Sequence, residues 1–138
     1  MLIHTKDLIG MTGLSFSKVN YYCLLGLIEP ALPAARGRSR VFDATEIIFV
    51  LLVENLFGTL SDKKKIITSI RNSGLVLDWQ DAIDDPFRIL MIKNFDQVVV
   101  KTIETESAPI KYSGSDTVQV VNLTAICKKY KYLISKRG

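Results

Sequence analysis

The chain has 138 residues, 48% of them hydrophobic, which is enough for a packed core and too many for a disordered chain. Two cysteines and one histidine are too few for a disulfide scaffold or a clustered metal site, and the longest apolar run, Ile47 to Val53, has seven residues against the roughly 20 of a membrane-spanning helix. The net charge of +4 suits a polyanionic partner without requiring one. The start, Met1-Leu2-Ile3-His4, lacks the basic and apolar pattern of a signal peptide, so a cytoplasmic location is the expectation.

In chain order, Thr5 is a candidate cap for a short helix running to about Met11, with Asp7 near the positive end of its dipole. Thr12-Gly13 breaks it. Ser15 then caps a second helix from Phe16 to about Leu25, whose inward positions are Phe16 or Val19, Tyr22 and Leu25, and Gly26 stops it. About three residues separate the two helices, which is helix-turn-helix spacing. Between Glu29 and Phe42, Pro30 and Pro33 forbid helix, and Arg36-Gly37-Arg38-Ser39-Arg40 reads as the tip of a small β-wing. Asp43 and Glu46 have capping-box spacing ahead of a buried helix, Ala44 to Phe57. Ser61 opens another helix with Ile66, Ile67 and Ile70 inward and Gly74 as its stop.

The remainder changes in composition. Residues 75–106 hold three basic and seven acidic side chains, residues 107–138 six and one, and residues 1–74 nine and six. Leu75 to Pro86 reads as an acidic linker with a helical turn near Trp79. Ile89–Lys93, Val98–Ile103, Ile110–Tyr112 and Val118–Val121 read as strands, and Asn122 caps a last helix with Leu123, Ile126, Cys127 and Tyr130 on one face. The expected fold class is α+β. The expected organisation is an N-terminal domain over 1–74, an acidic linker over 75–87, and a small β-rich domain with a C-terminal helix over 88–138 that serves dimerisation or partner binding.

The motif order carries a family resemblance over about residues 3–74. Thr12-Gly13-Leu14-Ser15, then Val19-Asn20-Tyr21-Tyr22, then Gly26-Leu27-Ile28, resembles the signature T-G-V-S-x-x-x-L-R-Y-Y-x-x-x-G-L-L around the recognition helix of MerR-family regulators. Arg40-Val41-Phe42 with Glu46-Ile47 resembles that family's wing. The chain departs from the pattern at Asn20, where the family has arginine, and at Cys23 and Leu24, where it has charged residues. The resemblance implies a winged helix-turn-helix that binds double-stranded DNA, with the Phe16–Leu25 helix in the major groove and the wing on the adjacent backbone. The second part is similar in size and pattern to the β-rich tails of short MerR-like proteins, some of them regulators and others companions of toxins.

Within that frame, Ser15, Ser17, Lys18, Asn20 and Tyr21 are the candidate DNA contacts of the helix. Lysine can donate to guanine O6 and N7, and asparagine can pair with adenine N6 and N7. Arg36, Arg38 and Arg40 are the wing contacts; no acid between Arg36 and Phe42 neutralises them, and alternation would set Arg38 and Arg40 on one face. Lys63 and Lys64, with Lys65, sit at the helix end that disfavours cations, which a nearby phosphate would explain. No catalytic set is found: His4 has no local Ser or Cys partner, no glycine-rich phosphate loop is present, and Asp78, Asp81, Asp84 and Asp85 lack the spacing of a calcium loop. The expectation is a non-enzymatic DNA-binding transcription regulator with no cofactor and no membrane association, acting as a homodimer through its C-terminal β region or the Leu24 edge. Two other readings stay open: an antitoxin-like autoregulator that covers a toxin with residues 88–138, and a protein-interaction module built on the same domain.

Overall fold

The computed structural model describes residues 1–74, 87–94, 97–103 and 118–137. Most of the expected acidic linker, the turn at Trp79, the strand at Ile110–Tyr112 and the four aspartates from Asp78 to Asp85 lie outside the described residues. The fold is α+β.

Leu2–His4 forms strand β1, which pairs antiparallel with Val41–Asp43, strand β2, placing Ile3 opposite Phe42. Both of those side chains are fully buried. Helix α1 spans Thr5–Thr12. Its cap position is held by His4, not by Thr5. The His4 N–H donates to Asp7 Oδ2 at 3.0 Å, while Thr5 Oγ1 donates to the Arg40 carbonyl at 3.2 Å. The start of α1 is thereby tied to the segment that leads into β2.

Helix α2 spans Phe16–Leu25, as its cap and stop predict. Ser15 Oγ accepts from the Lys18 N–H at 3.1 Å, and Gly26 closes the helix at φ 75°, a conformation open to glycine at little penalty. Helix α3 spans Glu46–Asn55, shorter at both ends than the expected Ala44–Phe57. Every residue from Glu46 to Val53 is buried. Such a helix must be surrounded by other elements, and it is the central rod of the core. Helix α4 spans Leu60–Ser73 and starts one step before Ser61. Its cap is Thr59, whose Oγ1 accepts from the Asp62 N–H at 3.1 Å while Asp62 accepts from the Thr59 N–H at 3.0 Å. Ile66, Ile67 and Ile70 are fully buried, as their spacing predicts.

Glu46 does not cap α3. Asp43 Oδ1 instead accepts from the Thr45 N–H at 2.9 Å and the Thr45 hydroxyl at 2.8 Å, closing the turn before the helix; these bonds hold the Asp43 carboxyl below its usual pKa. The Glu46 carboxylate turns into the protein and meets Arg71 of α4 in a two-pronged pair at 2.6 and 2.9 Å. Glu46 also accepts the Glu29 N–H at 2.7 Å. The Arg71 guanidinium lies 3.8 Å from the Phe49 ring centroid and donates to the Leu27 carbonyl at 3.3 Å. One ion pair, its carboxylate buried and its guanidinium partly so, therefore joins α3, α4 and the turn after α2 from which the arginine-rich segment departs.

Phe87–Lys93 (β3), Gln97–Ile103 (β4) and Val118–Asn122 (β5) form an antiparallel sheet in the order β4-β3-β5. Leu90 lies between Val100 and Val121, and Ile92 between Val98 and Gln119. This row faces the core, so Gln119 is a buried polar residue on an apolar face. Its amide explains the placement: Nε2 donates to the Phe57 carbonyl and Oε1 accepts from the Phe57 N–H, both at 2.8 Å. Helix α5, Leu123–Arg137, starts with Asn122 Oδ1 accepting from the Ala125 N–H at 2.9 Å, as expected. Leu123, Ile126, Cys127 and Tyr130 are buried in the same core as α3. Burial pushes the Cys127 thiol up to about 11. Packing thus crosses from residues 1–74 to β3, β5 and α5. Replacing Gln119 by leucine removes both Phe57 partners together and is expected to destabilise the protein by about 1–3 kcal/mol, read as a shift in the urea midpoint at unchanged slope.

Candidate nucleic-acid interface

Helix α2 turns Val19 and Tyr22 into the core, where they are 0% and 5% exposed. At 3.6 residues per turn the opposite side carries Ser17, Tyr21 and Leu24, and all three are exposed. Phe16, one of two alternatives for an inward position, instead faces out and is 62% exposed. It borders a shallow depression together with Ile9 of α1 and Ser39. Ser15 is occupied as the cap, with its side chain exposed at the leading end of the helix.

The arginine-rich segment is a ribbon closed by a two-residue turn. Ala35 and Arg38 exchange both backbone bonds, at 3.0 and 2.9 Å, around Arg36 and Gly37. Gly37 adopts φ 74°, the left-handed conformation that makes so tight a turn accessible. Lower down, Leu32 and Val41 pair in the same way, after which Val41–Asp43 leaves to pair with β1. Residues 31–39 are all exposed.

Arg38 and Arg40 end on different partners, against the single shared face expected from alternation. Arg38 Nη2 donates to the Pro33 carbonyl at 3.0 Å, on its own ribbon. Arg40 Nη2 donates to Asn20 Oδ1 at 2.6 Å, which bonds the base of the ribbon to the side of α2. The reason is geometric: regular pairing stops between the tip and Leu32–Val41, so a strict two-residue alternation does not run through Ser39 and Arg40. Arg36 stands at the turn itself, exposed.

Lys18 is exposed and lies beside the acid Glu54 at the end of α3, Nζ to Oε1 at 3.0 Å. The Tyr22 hydroxyl donates to the same carboxylate at 3.2 Å, and Lys18 Nζ sits 5.7 Å from the Tyr22 ring centroid. The bond to Glu54 raises the Lys18 pKa. Burial, and then the Glu54 charge, raises that of Tyr22. Glu54 has no sequence signal of its own: it lies 36 positions from Lys18, and only the crossing of α2 with α3 joins them.

Lys63 Nζ donates to the Val53 carbonyl at 3.1 Å, so this candidate phosphate contact already serves the last turn of α3. The Lys64 side chain passes over Gly26 at the end of α2, its Cε 3.6 Å from where a Cβ there would stand. The two cations sit at the unfavourable end of α4 because they lie at the favourable, C-terminal ends of α3 and α2. Cys23 is half-buried, and burial raises its pKa although Arg40 opposes the shift. Among the described residues, no three His, Cys, Asp or Glu side chains gather at metal-binding distance, and no helix is long and apolar enough to cross a membrane.

The arrangement is therefore an exposed helix face, flanked on one side by a cationic ribbon bonded to it and on the other by a lysine–glutamate pair. Compared with family models and with curated proteins, the chain matches none.

Proposed function

We propose that this protein is a sequence-specific DNA-binding transcription regulator that lays α2 in a major groove and its arginine ribbon along the adjacent backbone. The observation that carries the reading is the 2.6 Å bond from Arg40 to Asn20. It holds the ribbon, with exposed Arg36 and Arg38, against the exposed side of α2. A helix face and a cationic flank held in fixed relation suit a duplex, whose bases lie between two phosphate rails. Ser15, Ser17, Lys18, Asn20 and Tyr21 are the helix contacts in this reading, and Arg36, Arg38 and Arg40 the ribbon contacts. Lys64 is an outlying phosphate contact; Lys63 joins it only by leaving Val53. A homodimer on a two-fold-related site follows, since one such helix reads too few bases for selectivity.

Glu54 tempers the surface by neutralising Lys18. Glu54→Gln frees that cation and is expected to raise duplex affinity about fivefold near 0.15 M salt, the value of one additional charge contact. Fluorescence anisotropy on a mixed-sequence duplex measures it.

Selection of tight binders from random duplexes, followed by the mass of the complex, tests the proposal. A selected consensus bound by two copies of the chain supports it. Arg40→Ala then weakens binding to all sequences, whereas Lys18→Ala alters which sequences are preferred. If both variants bind as wild type does, the interface lies elsewhere. One observation favours a second reading, a protein-interaction module: Leu24, on the outward side of the last turn of α2, is 75% exposed. That reading predicts no duplex binding even at low salt.

A further inference from the structure

The outward face of α2 is unusual for a surface that recognises bases by hydrogen bonds. Its two best hydrogen-bonding side chains are engaged within the chain, Lys18 by Glu54 and Asn20 by Arg40. The large groups it offers to a partner are apolar or mostly so: Phe16 at 62% exposure, Tyr21 at 47% and Leu24 at 75%. Tyr21 and Leu24 lie on the outward side of the helix and Phe16 at its leading end, toward Ser39 of a ribbon whose Arg36 and Arg38 are exposed. A partner complementary to this surface is apolar in the middle and anionic at the margin. The major groove of DNA has one apolar feature on its floor, the C5-methyl group of thymine, and phosphates along its edges.

We infer that base selection by this protein rests on 5-methyl groups in the major groove, with Leu24 and Phe16 as the specificity-determining residues and Tyr21 contributing its ring. The inference depends on the DNA-binding reading above. It adds apolar contact to the selectivity that the reading gives to Lys18 and Asn20. A pyrimidine 5-methyl is the same group on thymine and on 5-methylcytosine, so a cytosine methylated at a contacted position is accepted in place of thymine.

The test compares the tightest duplex from the random selection with the same duplex synthesised with deoxyuridine for thymine. Base pairing is retained and the methyl groups alone are lost. The expected result is a loss of about fourfold in affinity per contacted thymine, the value of one buried methyl. Leu24→Ala and Phe16→Ala bring the thymine-to-uracil ratio toward one and leave the salt slope unchanged. Arg38→Ala lowers affinity for both duplexes equally and keeps the ratio. Leu24 and Phe16 are exposed, so both variants are expected to fold as the parent does. Equal binding of the two duplexes by wild type overturns the inference and leaves DNA binding standing. A ratio that persists in both apolar variants overturns the assignment to these residues. Failure to bind any duplex at about 50 mM salt, where phosphate contacts are strong, removes the inference together with the function it rests on.

Discussion

Arg71→Met is expected to destabilise the protein by about 3–5 kcal/mol, the range for removing one partner of a buried ion pair. Glu46 is only 7% exposed at its side chain. Without Arg71 its carboxylate keeps the Glu29 N–H and loses both prongs of the guanidinium. The Leu27 carbonyl loses a donor, and Phe49 loses the cation stacked on its ring. Lysine is not expected to rescue the fold, because a single ammonium cannot replace the two-pronged contact or the stacking. Urea unfolding followed by circular dichroism measures the effect, with a lowered midpoint and an unchanged slope. Combining Arg71→Met with Glu46→Leu removes the stranded charge and should recover part of the loss. Recovery stays incomplete because the Glu29 N–H and the Leu27 carbonyl still lose their partners. A double-mutant cycle that shows no coupling between the two positions would contradict this account.

The triple variant Arg36→Ala, Arg38→Ala, Arg40→Ala is expected to lose about a hundredfold in duplex affinity near 0.15 M salt, with the salt slope flattened by about 2.7, or 0.9 for each phosphate contact removed. Arg36 and Arg38 lie on the exposed part of the ribbon, so their loss leaves the core untouched. Arg40 adds a second effect, since Asn20 loses the donor that ties ribbon to helix. Anisotropy titrations at several salt concentrations separate the two. Lost phosphate contacts change the slope, and a loosened ribbon lowers affinity at every salt concentration without changing it. Circular dichroism is expected to match wild type. An unchanged slope would mean that the ribbon does not face the duplex.

The helices whose signals are local were legible in the sequence. Ser15 and Gly26 bracket α2 to the residue, and the isoleucine spacing of α4 gives its inward face. The apolar run of α3 is buried on every side, so no periodicity marks it as a helix. Strands β3, β4 and β5 and the Asn122 cap also follow from short-range pattern. What stayed hidden depends on contacts between distant residues. Strand β1 is three residues long, too short to display alternation, and exists because β2 is beside it. Asp43 and Glu46 fit a capping box by spacing, but spacing is blind to Arg71, which draws the carboxylate inward. The lysines of α4 look misplaced along their own helix and become sensible only beside the ends of α3 and α2. At the candidate interface, Ser15, Ser17, Tyr21 and Arg36 are exposed. The pairing of Lys18 with Glu54 and of Asn20 with Arg40 required the tertiary fold.

Backbone amide hydrogen exchange, followed with and without a selected duplex, tests most directly whether α2 and the ribbon act as one surface. Exchange is expected to slow together in residues 15–25 and 35–41 when DNA is added, and to change little in residues 118–137 apart from any dimer contact. Slowing in one of the two segments without the other, or in neither, would contradict it.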